Sequence, residues 1–176
     1  MELRDETRKL YDILKRNSTD LHGSYLATTS KRPCWHTNNS QPVSLILYAH
    51  LQRSYGLALT VLIILNCIVR ALCPEEETSL EIESAYFAKE IVALAEDVKI
   101  FRPLGSSYML LCLTTAWIGT SDLETKKLAE ALLEDYQSDF PGMKEARLQL
   151  EWTSRQFDFR HLFESFDEDE LTCEST

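Results

Sequence analysis

With 176 residues, 44% of them hydrophobic and 26% charged, the chain is long enough to close one core and bury roughly two thirds of its unfolded surface. A net charge of -10 and an isoelectric point near 4.9 argue against direct nucleic-acid binding, which requires clustered Lys and Arg facing phosphate. Cys34, Cys67, Cys73, Cys112 and Cys173 form no CxxC pair, so free thiols are expected rather than a disulfide scaffold, and no metal or cofactor is expected.

Taken in chain order, Leu3, Leu10, Tyr11 and Leu14 fall close to whole helical turns, so residues 2–16 read as an amphipathic helix ending by Asn17. The opening residues are charged and lack the apolar stretch of a secretory signal, so an intracellular protein is expected. From Ser18 to Gln41 the chain is rich in Ser, Thr, Asn and His with no apolar period, which reads as a solvated linker. Residues 1–41 are therefore expected to form a helix and a flexible, weakly attached arm. Cys34 and His36 within it have the spacing of a metal fragment, but two ligands in a polar loop are more often incidental.

Residues 42–156 read as an all-helical core. Pro42 suits a first helical position, and apolar residues run on to Leu72, with Cys73-Pro74 as the stop and a kink or break expected near residues 54–56. The uncharged run between Arg53 and Arg70 is shorter than the roughly 20 residues of a spanning helix. The second apolar run is diluted by Thr114, Thr115 and Gly119, and neither run has the basic or aromatic flanks that orient a membrane segment. A soluble helical globule is preferred over a bilayer.

Thr78 with Glu81 has the spacing of a capping box, and Leu80, Phe87, Ile91, Leu94 and Val98 then share one stripe, with Glu83, Lys89, Glu90, Glu96 and Asp97 facing outward. Pro103 disfavours helix at Arg102, Gly105 allows a tight turn, and Ser106 or Ser107 can cap a helix carrying Met109 and Ile118. Ser121 and Glu124 form a second capping box. Leu128, Leu132 and Tyr136 repeat at i+4, and Met143, Leu148, Leu150 and Trp152 mark a last helix. The fold class is an all-α, single irregular multi-helix domain. Leu62, Ile64, Leu65, Leu111, Leu113 and Trp117 are expected to lie buried against the Phe87, Ile91, Leu94 stripe, so Ile64→Asp should abolish cooperative unfolding.

Catalytic signals are absent from the sequence. His22, His36, His50 and His161 have no Ser, Cys or carboxylate partner at a spacing that implies a nucleophile and base, and no GxGxxG, P-loop, HExxH or GxSxG occurs. The Glu75-Glu76-Glu77 cluster reads as compensation of a helix dipole rather than a cation site. Two features remain. Arg102, Pro103, Gly105 and Ser106 form a structural turn between helices, where orphan backbone groups need partners. Residues 157–176 form an acidic aromatic tail, in which Phe157, Phe159, Leu162, Phe163 and Phe166 alternate with acids in the manner of activation segments that dock on a partner groove. From Asp122 onward fifteen acidic residues face six basic ones, so most of the excess negative charge sits there.

Several stretches taken together resemble the C-terminal regulatory region of fungal zinc-cluster transcription factors, whose DNA-binding unit is a binuclear, six-cysteine zinc cluster. They are Gln52-Arg53-Ser54-Tyr55-Gly56-Leu57-Ala58-Leu59, Ile64-Leu65-Asn66-Cys67-Ile68-Val69-Arg70-Ala71-Leu72, and Glu83-Ser84 ahead of Phe87 and Glu90-Ile91. Next come Arg102-Pro103-Leu104-Gly105-Ser106-Ser107-Tyr108, Cys112-Leu113, Ala116-Trp117, Asp135-Tyr136 and Asp139-Phe140, so the likeness covers residues 48–152. It implies an all-helical regulatory region. No six-cysteine cluster or basic segment is present, so DNA binding does not carry over: the chain is either a fragment or shortened product of such a factor, or a stand-alone relative.

The function expected is thus a non-enzymatic regulatory module in the nucleus that acts through protein partners, the transcription machinery among them, with no direct nucleic-acid or membrane contact. A small helical adaptor unrelated to transcription, located in the cytoplasm, is the alternative; a membrane-associated helical protein is the third reading.

Overall fold

The computed structural model describes residues 2–29, 42–140 and 146–156. Within them the fold is all-α: α1 spans Glu2–Thr29, α2 Pro42–Leu72, α3 Glu77–Val98, α4 Met109–Gly119, α5 Leu123–Gln137 and α6 Ala146–Gln156. Single 3₁₀ turns at Pro74–Glu76, Lys99–Phe101 and Leu104–Ser106 make the tight connections on either side of α3. α1 packs along α2, α2 against α3 and α4, and α4 lies between α3 and α5, while α6 rests on α4 and α5.

The first helix is longer than its apolar period suggests. It does not stop at Asn17 but continues through Thr29, across half of the stretch expected to be a solvated linker. Ser18 and Thr19 donate to the Lys15 carbonyl and Ser24 to that of Asp20, so the hydroxyls are satisfied within the helix instead of breaking it. The buried stripe is Thr7, Tyr11, Ser18 and Tyr25, with Leu14 and Leu21 partly covered between them. Those steps are four, three, four, three and four. Leu3 and Leu10, expected inside, are exposed. Hence residues 2–29 are a packed wall of the fold and not a weakly attached arm.

α2 runs from Pro42 to Leu72 without a break, so of the kink or break expected near residues 54–56 the break does not occur. Gly56 serves close approach: a Cβ there would sit 3.0 Å from Leu94 Cδ2 and 3.2 Å from the Tyr108 ring. By length and composition Ile46–Leu72 could cross a membrane, but half of its most apolar window is buried against the rest of the fold. At the other end of the core a Cβ on Gly119 would overlap Ile63 Cγ2, so α4 approaches α2 at a distance only glycine permits. Ser84 Oγ donates to the Gly119 carbonyl at 2.6 Å and ties α3 to the same point.

The stripe Leu80, Phe87, Ile91, Leu94 and Val98 is buried as expected. Leu62 and Leu113 are fully buried, but Ile64, Leu65 and Trp117 are only partly covered and Leu111 is 54% exposed. Uniformly apolar helices give no period from which to choose the inner face, and here Ile63 rather than Ile64 points inward. On the outer helices Leu132, Tyr136 and Leu150 are buried, whereas Leu128 and Trp152 are exposed. Met143 and the side chain of Leu148 lie outside the described residues.

The predicted caps shift. α3 begins at Glu77 with no side-chain cap, so Thr78 and Glu81 form no capping box. The N-cap position of α4 is Tyr108 rather than Ser106 or Ser107, and it supplies no side-chain cap. α5 is capped by Asp122, one residue later than Ser121: its carboxylate accepts from Glu124 N at 3.2 Å and from Thr125 Oγ1 at 2.7 Å.

Candidate functional site

The acids of α3 do more than face solvent, as the sequence pattern had them doing. Glu83 Oε2 accepts from Tyr11 Oη at 2.6 Å, and Glu83 Oε1 pairs with Lys15 at 2.8 Å. Burial works against the charged form of Glu83, but the hydrogen bonds from Lys15 and Tyr11 outweigh it and hold its carboxyl below the usual carboxylate range. Two helical turns on, Glu90 accepts from Tyr55 Oη at 2.9 Å, and the Tyr55 oxygen lies 3.1 Å from His22 Nδ1. Asp97 accepts from Tyr25 at 2.5 Å. Glu83, Glu90 and Asp97, spaced by seven, thus fasten α1 and α2 onto α3.

The Glu75-Glu76-Glu77 cluster is used in the same way. Glu75 pairs with Arg4, Glu76 with Arg8 at 2.5 Å and Glu77 with Arg70 at 3.2 Å. Dipole compensation by Glu77 at the start of α3 is joined by bridges to two other helices.

Between α1 and α3, with α2 as the floor, lies a cleft of about 370 Å³. Its lining combines Lys15, Thr19 and His22 from α1, Tyr55 and Leu59 from α2, and Ile82, Glu83, Tyr86 and Phe87 from α3. Ile82 and Tyr86 stand on one wall at i, i+4, with 68% and 53% of their surfaces exposed. At the inner end the His22 and Tyr55 rings lie 4.9 Å apart, and Tyr55, Tyr25 and Tyr48 continue as a stacked row across the interface of α1 and α2.

At the opposite end of α3, the turn singled out in the sequence forms a clamp. Arg102 donates through Nε and Nη2 to both oxygens of Asp139 at 2.6 and 2.9 Å, through Nη1 to Asp135 at 2.8 Å, and through Nη2 to the Asp135 carbonyl at 2.6 Å. Its guanidinium also sits 4.8 Å from the centre of the Tyr136 ring. Those bonds push the Arg102 pKa further up. Pro103 and Gly105 are exposed, the Arg102-Pro103 peptide is cis, and a Cβ at Gly105 would meet Phe101 Cβ at 2.9 Å. Ser106 is fully buried, and its Oγ has no hydrogen-bond partner. Arg102 therefore joins the α3–α4 connection to the C-terminus of α5.

Phe157, Phe159, Leu162, Phe163 and Phe166, together with Cys34, His36 and His161, lie outside the described residues. His50 is exposed on α2. Burial pushes the Cys112 thiol up to about 11, which leaves it protonated and unreactive near neutral pH. Among the described residues no group of three or more His, Cys, Asp or Glu side chains is placed to hold a metal. Sequence reasoning missed the α1–α3 cleft because most of its first wall falls in the stretch read as a linker; the period Tyr11, Ser18, Tyr25 was the available signal.

The buried phenols make stability sensitive to alkali. Burial raises the pKa of Tyr11, Tyr25, Tyr55, Tyr108 and Tyr136, reinforced at Tyr11, Tyr25 and Tyr55 by neighbouring carboxylates. A phenol of the unfolded chain ionises near pH 10, so the stability held in these neutral groups is fully present below about pH 10 and is lost as pH rises from there through the higher folded values. Denaturant midpoints should fall steeply between about pH 10 and 12, with phenolate absorbance appearing together with unfolding. A constant midpoint across that window would contradict the burial of these hydroxyls.

Comparison with known proteins finds no matching family model, no similar curated protein and no similar solved structure.

Proposed function

We propose that the chain is a non-enzymatic regulatory module, of the kind that forms the C-terminal region of fungal zinc-cluster transcription factors, acting in the nucleus through protein contacts. What supports the reading is that residues carrying the resemblance meet one another in space. Arg102 grips Asp135 and Asp139, and Gly56 is set against Tyr108 and Cys112. A scattered pattern whose members interlock is what a shared fold requires, since each such residue is kept by its contact and not by a reaction.

In this reading the helical core is a scaffold and residues 157–171 are the recruiting element. Phe157, Phe159, Leu162, Phe163 and Phe166 are the apolar anchors it would offer to a partner groove, set among acids in the sequence. The full chain, fused to a foreign DNA-binding domain in a yeast reporter strain, is expected to activate transcription. Replacing Phe163 and Phe166 with Ala should remove most of the signal at equal protein level. A silent fusion, or an alanine variant that activates equally, sinks the proposal.

A further inference from the structure

We infer that the α1–α3 cleft is a binding site for a small, neutral, ring-bearing molecule with one hydroxyl or similar hydrogen-bonding group. The inference is independent of the regulatory reading and of residues 157–171. Size comes first: about 370 Å³ lies at the lower end of the roughly 300–1,000 Å³ typical of small-molecule sites. The walls decide the body of the ligand. Leu59, Ile82, Phe87 and the ring of Tyr86 offer apolar and aromatic surface from two helices, and Ile82 and Tyr86 remain largely exposed although α3 packs against α2, α4 and α5. A flat ring inserted between them and α1 would withdraw that surface from water.

The polar groups decide its charge. Lys15 is already matched by Glu83 at 2.8 Å, and Tyr55 links His22 to Glu90. An anionic ligand would meet the carboxylate of Glu83 on the wall, and a cationic one would compete with Lys15 for it, so either would disturb the bridge that holds α1 to α3. A neutral molecule disturbs neither. His22 uses Nδ1 towards Tyr55, which leaves Nε2 to bond one polar group of the ligand.

The test titrates the full chain with naphthol as a neutral probe and naphthoate as its anionic counterpart, read by NMR shifts of the His22 ring and the Ile82 methyl groups. Naphthol is expected to shift both, and naphthoate to bind at least about tenfold more weakly, the equivalent of about 1.4 kcal/mol. Thr19→Trp, which sets an indole over the cleft from an exposed helical position, should abolish the shifts while the melting temperature stays the same. Should that variant fail to fold, Ile82→Gln at the exposed wall must weaken naphthol binding severalfold. The inference is overturned if naphthol leaves His22 and Ile82 unmoved, if naphthoate binds equally well, or if a folded Thr19→Trp variant or Ile82→Gln binds like the parent protein.

Discussion

Ile63→Asp is expected to leave no cooperative thermal unfolding transition, whereas Ile64→Asp, its neighbour, should still melt cooperatively at a lower temperature. Ile63 is fully buried where α2 meets Gly119 of α4, with Ser84 of α3 closing the same point. A carboxylate there has neither water nor a cation, and stranding such a charge costs several kcal/mol, comparable to the roughly 5–15 kcal/mol by which a domain is stable. Ile64 is only partly covered, so an aspartate can reach solvent and forfeits chiefly the burial of the side chain, roughly 1–3 kcal/mol. Circular dichroism melts of the two variants would distinguish these positions. If Ile64→Asp is the one that fails to fold, the inner face of α2 has been assigned to the wrong residues.

The second large effect is expected at Tyr11, the best-buried side chain of α1. Its hydroxyl donates to Glu83 at 2.6 Å and accepts from Asn66 Nδ2 at 3.1 Å, while Asn66 Nδ2 also donates to the Leu80 carbonyl at 2.9 Å. One phenol thereby closes a network over α1, α2 and α3. Tyr11→Phe keeps the ring but leaves these buried polar groups short of a partner, which costs about 1–3 kcal/mol. Tyr11→Ala also opens a cavity and should cost about 3–5 kcal/mol. Because α1 is held mainly along α2, hydrogen exchange should reveal early loss of protection in α1 in the alanine variant, before α4 and α5 open. Unchanged exchange in both variants would mean that α1 contributes nothing to the fold.

Placing Tyr11 and Ile63 correctly required different information, and the contrast runs through the molecule. Residue type and period were enough for the all-α class, for the Leu80–Val98 stripe of α3, and for a polar brace at Arg102, because amphipathic helices and Pro-Gly turns are local phenomena. The inner face of α2 was not legible: with Val61, Leu62, Ile63, Ile64 and Leu65 in succession, every direction is apolar, and only the glycines at 56 and 119 meeting their neighbours select one. Nor was the length of α1, whose second half hides its period by using Ser18 and Tyr25 where leucines would announce it.

The cleft belongs to the same category. Lys15, His22, Tyr55, Glu83 and Tyr86 are ordinary helix-surface residues in sequence, and nothing in their spacing joins residue 22 to residue 55 or 90. Sequence by itself determined that this chain makes packed helices and no strand-based core, since apolar period is set by neighbours three and four residues apart. The acids of α3 became helix fasteners rather than a solvated face only in the tertiary structure, because a carboxylate's role depends on which hydroxyl or cation the rest of the chain brings within about 3 Å of it.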